Sequence, residues 1–311
     1  MSFIRSYLHA CTIASVTILL FPVFLDSTAE SADRSVQNLP IQQVRITQIK
    51  APRSHKRKPA VRLTPPEGIL LKDLTTGQTL FEQNAHQPMP PASLTKIMSA
   101  IVILEEGNLE DSVTVSRHAA AAHPIKLYLK PGQVVPLRGL LEAMLVRSTN
   151  DACMAAVEHV GGDEATFVTK MNAKGEAIGL THTQFRNACG FDMDAHYSTA
   201  EDLATLTEYA MTNETFAAIV KEPAAVIRTV NQRKTFVART TNRLLGTMEG
   251  IMGVKTGYTK GAGRCLIAIV HREGKELLLV LLNARQRWST AHTMIEYGLR
   301  PQSAILATVS R

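Results

Sequence analysis

Ser93 and Lys96 stand three residues apart at the head of an apolar run, Ile97, Met98, Ile101, Val102, Ile103 and Leu104, that repeats with a helical period. Positions i and i+3 share a helix face, so the lysine amine can reach the serine hydroxyl within one turn. Such a pair is a nucleophile with its base. A serine hydroxyl attacks a carbonyl poorly until its proton is removed. A lysine, with a reference pKa of about 10.4, removes that proton near neutral pH only where burial or a second cation depresses the value. The apolar residues behind Lys96 are suited to bury it. Pro90-Pro91 stops the preceding chain and leaves Ser93 at an N-cap or in a first turn. Alone, Ser-x-x-Lys reads as readily as a capped helix start with an exposed lysine.

Two later groups change that reading. Ser148-Thr149-Asn150 places a hydroxyl and an amide two residues apart around a turn, where both can face one cleft. By itself it would be an ST-turn or an N-cap. Lys255-Thr256-Gly257, continued by Tyr258-Thr259, sets a second cation and two hydroxyls on an extended stretch, with a glycine where another backbone can approach closely. Lys255 could attract a carboxylate, to which Thr256 and Thr259 could donate hydrogen bonds. The histidines, among them His123, His182 and His196, have no metal-ligand spacing, so neither a metal nor a nucleotide cofactor is expected.

The elements that must hold these residues can be read from their periods. Gly68 to Leu71 and Thr79 to Glu82, joined through Thr75-Thr76-Gly77-Gln78, form a hairpin that leads to Ser93. Val113 to Val115 reads as a short strand, and Leu129 to Leu137 as loop and extended chain. Leu140 to Val146 regains helical spacing, and an Ala-rich helix entered through Arg147 to Cys153 ends at Gly161-Gly162. Met171 to Ile178 and Leu203 to Met211 are further helices. Arg264 to Val270 and Glu276 to Leu282, turning at Glu273-Gly274, form a second hairpin, and Thr290 to Tyr297 a closing helix packed on the sheet. This order predicts an α+β fold, an α/β sandwich in which helices flank an antiparallel sheet and a helical subdomain is added.

Composition bounds the rest. The chain has 311 residues, 45% of them hydrophobic, enough for one substantial core. Its net charge of +7 lies largely in the N-terminal part and is not interleaved with aromatics, which argues against nucleic acid as a partner. Arg5 followed by the apolar Ala14 to Leu25 reads as an export signal over residues 1–29, cut after Ala29. Residues 30–66 read as a basic flexible linker that could touch an anionic envelope surface, 67–300 as the catalytic domain and 301–311 as a short tail. Cys11 falls in the signal, and Cys153, Cys189 and Cys265 permit at most one internal bridge. Cys153 and Cys265, in apolar contexts, are expected to be small buried thiols.

Taken together and in order, Ser93-Leu94-Thr95-Lys96, Ser148-Thr149-Asn150 and Lys255-Thr256-Gly257 resemble the motif set of penicillin-binding proteins and serine β-lactamases. Asn150-Asp151-Ala152, Tyr197-Ser198-Thr199-Ala200 and Gly253 to Thr259 bring the resemblance closest to the low-molecular-mass D-alanyl-D-alanine carboxypeptidases, over roughly Gly68 to Leu299. It implies a β-lactamase/transpeptidase-like fold, an exported enzyme, stem peptides ending in D-Ala-D-Ala as substrates and β-lactam antibiotics as inhibitors. It assigns Ser93 as nucleophile, Lys96 as base, Ser148 to proton relay and Asn150 to contacts with the lysine and the substrate amide. The backbone amides of Ser93 and Tyr258 would hold the oxyanion, and Arg287, with Arg285 as competitor, would anchor the substrate carboxylate. The segment Gln184 to Tyr197 contains no glutamate, so the deacylating device of class A β-lactamases is not expected, and penicillin should remain bound. A D,D-endopeptidase cutting cross-links, a β-lactamase and a non-catalytic envelope binder are the rival readings. Cys189 departs from the resemblance.

Overall fold

The computed structural model describes residues 67–300, so the expectations for residues 1–66 and 301–311 lie outside them. In chain order, the first elements are β1 (Gly68–Asp73), β2 (Thr79–Gln83), a 3-10 turn (Ala92–Thr95), α1 (Lys96–Glu106), β3 (Ser112–Thr114), α2 (Arg117–Ala121) and β4 (Val134–Pro136). There follow α3 (Leu137–Val146), α4 (Asn150–Gly161), α5 (Glu164–Ala177), α6 (Ala200–Met211) and α7 (Glu214–Val220). The last are β5 (Ala224–Arg228), β6 (Thr235–Arg239), β7 (Ile251–Thr259), β8 (Gly263–Arg272), β9 (Lys275–Leu282) and α8 (Arg287–Leu299).

Five strands make one antiparallel sheet in the order β2-β1-β9-β8-β7. Its central strands are apolar without a break because both faces are covered. The period of two still sorts their side chains. Cys265, Ile267, Ile269, Leu278, Val280 and Leu282 face the helical block. Leu266, Ala268, Val270, Leu277, Leu279 and Leu281 face Ala291, Ile295 and Leu299 of α8. The fold is therefore the expected α+β sandwich, with α8 on one face of the sheet and the helices α1 to α7 gathered on the other side.

Three differences from the sequence expectations have simple causes. The strand expected at 113–115 exists because Val113 pairs with Val135, in a stretch expected only to be extended. Helix α5 starts seven residues before Met171, at Glu164, because Asp163 caps it by accepting from the Thr166 N–H at 2.7 Å. The β5–β6 hairpin was not expected. Its strands pair Val226 with Val237, both about half exposed, while Ala225, Ile227 and Ala238 on the other face are buried, so apolar residues on both faces hide the alternation that would have marked a strand.

Candidate active site

Ser93 lies inside the 3-10 turn, one turn ahead of α1, and does not cap the helix with its side chain. In such a turn residues three apart eclipse one another, which is what brings Ser93 and Lys96 together. Lys96 Nζ is 3.2 Å from Ser93 Oγ. The turn is forced by its neighbours. Ala92 has a φ of 51°, and its carbonyl accepts from the Thr95 hydroxyl at 2.8 Å. Gly190, at φ 81°, presses on the same carbonyl so closely that a Cβ there would lie 2.0 Å from it. Only glycine fits this position, by φ and by space.

Lys96 is fully buried beneath these residues. Its Nζ donates to Asn150 Oδ1 at 2.8 Å and to the carbonyl of Cys189. Burial first, and then the charge of Lys255, hold its pKa well below the ordinary lysine value. A neutral amine has two N–H groups and one lone pair. The two acceptors take both N–H groups, so the lone pair is left for the third neighbour, the Ser93 hydroxyl. This arrangement can accept the serine proton.

Asn150 opens α4 and is itself held: its Nδ2 donates to the His123 carbonyl at 2.7 Å, and its backbone N–H to the Ile125 carbonyl at 2.7 Å. Asp151 beside it accepts from the N–H groups of Leu127 and Leu129, fixing the segment that carries those carbonyls. Ser148, two residues ahead, is in the left-handed region at φ 66°, and its buried Oγ has no hydrogen-bond partner among the described residues. A buried hydroxyl left in that state costs free energy, and such orphans gather at functional sites.

The third group arrives on β7, an edge strand of the sheet. Gly257 lets β7 approach the 3-10 turn, since a Cβ on it would lie 3.1 Å from Ala92 Cβ and 3.2 Å from the Pro91 oxygen. Lys255 is buried, donates to the Thr256 carbonyl at 3.1 Å, and has its pKa lowered to about 7 by burial and then by Arg287. Thr256 shares a hydroxyl contact with Thr241. The Thr259 hydroxyl donates to Asp192 Oδ1 and accepts from the Ala262 N–H, so it is engaged within the protein. Tyr258 is exposed. Arg287 Nη1 donates to the Gly257 carbonyl at 2.8 Å and the Cys265 carbonyl at 3.0 Å, and its guanidinium lies 4.5 Å over the Trp288 ring. Arg287 thus braces β7 from the start of α8, whereas the Arg285 side chain is exposed.

Sequence reasoning missed two features and left a third, the place of His196, open between two readings. The expectation of a free buried thiol at Cys153 is corrected: Cys153 and Cys189 form a disulfide, their Cα atoms 6.1 Å apart, because the 187–190 turn lies against α4. Among the described residues only Cys265 remains a thiol, buried and with its pKa pushed up to about 11. The Cys189 carbonyl could not be foreseen as a lysine partner, since a backbone oxygen leaves no mark in residue type. His196, expected to be structural or exposed, is buried and lies 2.9 Å from the Thr95 hydroxyl. Among the described residues no group of His, Cys, Asp or Glu could hold a metal ion.

Residues 59–286 match the family model described as D-alanyl-D-alanine carboxypeptidase. D-alanyl-D-alanine carboxypeptidase DacF of Bacillus subtilis is 33% identical over 240 residues, which cover 75% of this chain and 61% of that protein. DacB2 of Mycobacterium tuberculosis is 32% identical over 251 residues, covering 78% of this chain and 85% of the relative. The chain spans about three fifths of the length of the Bacillus protein and of Escherichia coli DacC, at 61% and 60%. Among solved structures, ampicillin-bound penicillin-binding protein D2 of Listeria monocytogenes superposes with a TM-score of 0.66 at 29% identity, covering 75% of this chain and 96% of the other. A mutant of Streptomyces K15 DD-transpeptidase gives a TM-score of 0.70 at 31% identity, covering 74% and 96%.

Proposed function

Because the chain belongs to the D-alanyl-D-alanine carboxypeptidase family, we propose that it removes the terminal D-alanine of peptidoglycan stem pentapeptides by acyl transfer through Ser93. The observation that carries this reading is the buried Lys96 amine, whose two acceptors Asn150 Oδ1 and Cys189 O leave its lone pair for Ser93 Oγ, 3.2 Å away.

The steps follow from that geometry. Neutral Lys96 takes the Ser93 proton as Oγ bonds to the carbonyl carbon of the penultimate D-alanine. The backbone amides of Ser93 and Tyr258 hold the oxyanion, the second of them on the β7 edge that Gly257 brings against the 3-10 turn. As the tetrahedral intermediate collapses, the C–N bond breaks and the proton passes from Lys96 to the leaving amine. The unpartnered Ser148 hydroxyl is the relay, free to accept from the lysine and donate to the amine. Water then attacks the ester, with Lys96 as base once more. Lys255 and Thr256 attract the terminal carboxylate, and that carboxylate in turn favours the charged form of Lys255. Thr259 and Arg287 act by shaping the strand, since their polar groups bond Asp192, Gly257 and Cys265.

Residues 1–29 serve in this reading as an export signal, 30–66 as a tether, 67–300 as the catalytic domain and 301–311 as a tail. The site of action is the periplasm or the outer face of the cytoplasmic membrane. A disulfide beside the site supports this, because such bonds persist in oxidising compartments. Among the described residues no helix is long and apolar enough to cross a membrane. β-Lactam antibiotics would acylate Ser93 as substrate analogues.

The test is D-alanine release from a diacyl-L-Lys-D-Ala-D-Ala peptide by purified protein, with Ser93→Ala as control. Release that requires Ser93 supports the reading. A folded wild type that releases none removes it, and cleavage of cross-linked dimers by the same sample would then point to an endopeptidase.

A further inference from the structure

Lys96 has two hydrogen-bond acceptors, and a covalent bond ties the elements that carry them. Asn150 is the first residue of α4, and Cys153 follows it by three positions on the same helix face. Cys153 is bonded to Cys189, 36 residues on, and the carbonyl of that same Cys189 accepts from Lys96. The other ties of the 187–190 turn run elsewhere. Ser99 of α1 donates to the Ala188 carbonyl, Glu164 of α5 accepts from the Ala188 N–H at 2.9 Å, and the Asn187 side chain accepts from Gly190 and Phe191 within the turn. The bridge is the covalent link between the turn and α4, and so between one acceptor and the other.

We infer that the Cys153–Cys189 bridge is a positioning device for proton transfer: it clamps the Asn150 amide and the Cys189 carbonyl at a fixed separation, which aims the Lys96 lone pair at Ser93. The inference rests on the acyl-transfer reading above. The two bridged sulfurs touch no reacting atom, so the bridge acts through the Asn150 and Cys189 acceptors that hold Lys96. The clamp matters because the lone pair has no direction of its own. With both N–H groups tethered, the amine cannot rotate; with one acceptor displaced, it can turn an N–H toward Ser93 and lose its use as a base. The gap between Lys96 and Ser93, 3.2 Å, leaves little tolerance for such a turn.

The bridge also makes the reaction sensitive to thiols. Exchange with a small dithiol breaks the S–S bond, leaves a thiol on each of Cys153 and Cys189, and converts the dithiol to its own disulfide. Both sulfurs are buried, so exchange proceeds through local opening of the turn. Cys265 does not compete, because its buried thiol has a pKa near 11 and stays protonated at neutral pH.

The experiment is saturation kinetics of acylation by a fluorescent penicillin, separating the dissociation constant of the first complex from the acylation rate constant. It compares wild type, the double variant Cys153→Ala/Cys189→Ala, and wild type reduced with excess dithiothreitol, each checked by thermal melting and by mass after thiol alkylation. A positioning role lowers the rate constant about 10- to 100-fold, leaves the dissociation constant within about two-fold, and is reversed when the reduced protein is reoxidised. A rate constant unchanged in folded, bridge-free protein overturns the inference. So does loss of the fold on reduction, which would make the bridge a staple of the domain. Wild type that no penicillin acylates takes down the acyl-transfer reading together with this one, whereas acylated wild type with an equally fast double variant takes down this one alone.

Discussion

His196 Nε2 lies 2.9 Å from Thr95 Oγ1, and the same hydroxyl donates to the Ala92 carbonyl at 2.8 Å. With its proton given to Ala92, the hydroxyl can only accept from the histidine, so Nε2 carries a hydrogen. The other ring nitrogen, Nδ1, accepts from the Arg186 N–H at 2.9 Å. Both nitrogens of a neutral ring are thereby committed, and the chain His196, Thr95, Ala92 ends at the residue before the nucleophile.

A second proton on His196 would face the Arg186 N–H inside the protein. Burial accordingly lowers its pKa from 6.5 to about 4, against an opposing pull from Asp192. Above pH 6.5 the ring is neutral folded and unfolded, and stability does not depend on it. Between 6.5 and 4 the unfolded chain binds a proton that the folded one refuses, so stability falls as pH falls. The full loss is about 3 kcal/mol, from roughly 1.4 kcal/mol per unit of pKa difference. Urea unfolding at pH 7.5, 6, 5 and 4.5 should show this slope in wild type and a flatter one in His196→Phe. Parallel curves would sink the assignment.

The two lysines should shape the pH profile of acylation. Lys96 must be neutral, so the rate rises as pH increases through its depressed pKa. Lys255 must be charged to draw a carboxylate, so the rate for the free enzyme falls as pH increases through about 7. Lys255→Ala removes the like charge that helps to depress Lys96. Its rising limb should therefore shift toward higher pH while its falling limb disappears. Lys96→Arg keeps the charge but has no lone pair near neutrality, and should acylate about 100- to 10,000-fold more slowly. Unmoved limbs in Lys255→Ala, measured with a fluorescent penicillin from pH 5 to 9, would contradict the coupling.

A penicillin acyl-enzyme should persist. Hydrolysis in class A β-lactamases uses a glutamate to activate water, and the segment Gln184 to Tyr197 has none. Of its two carboxylates, Asp192 accepts from the Thr259 hydroxyl and the Gly261 N–H, and Asp194 is exposed. Label from a fluorescent penicillin should survive a long chase with unlabelled antibiotic and remain on the denatured band. Rapid loss of label with many turnovers of a chromogenic cephalosporin would mean that another base serves the deacylation.

Much of this site could be read before the fold was known, and the limit of that reading is physical. Ser93, Lys96, Ser148, Asn150 and Lys255 are visible because short motifs fix residue types at short spacings, where one turn or one strand sets the geometry. The β8–β9 hairpin and α8 are visible because period two and helical spacing persist over many residues. What stayed hidden depends on contacts between distant segments. The Cys153–Cys189 pairing needs α4 to lie under a turn 36 residues away, and two other pairings were open to the same three cysteines. Arg287 was read as a substrate anchor; that its Nη1 also bonds two backbone carbonyls is a contact no sequence pattern records.

Gly190 gives the most direct test of how the turn supports the nucleophile. Its φ of 81° is strained for any residue with a Cβ, and that Cβ would overlap the Ala92 carbonyl at 2.0 Å and crowd the Ser93 nitrogen at 2.9 Å. The overlap is with backbone, so no side-chain rotation relieves it. Gly190→Ala must push the turn away from Ala92, taking the Cys189 carbonyl from Lys96 and tilting the Ser93 amide. The left-handed conformation alone costs about 1–3 kcal/mol. We expect lower stability by at least that amount and acylation slowed more than 10-fold even where the protein is fully folded, with Gly179→Ala, at φ 82° in open space, as the control that carries the strain without the contact. Equal acylation rates in the two variants would show that the contact between Gly190 and Ala92 does not position Ser93.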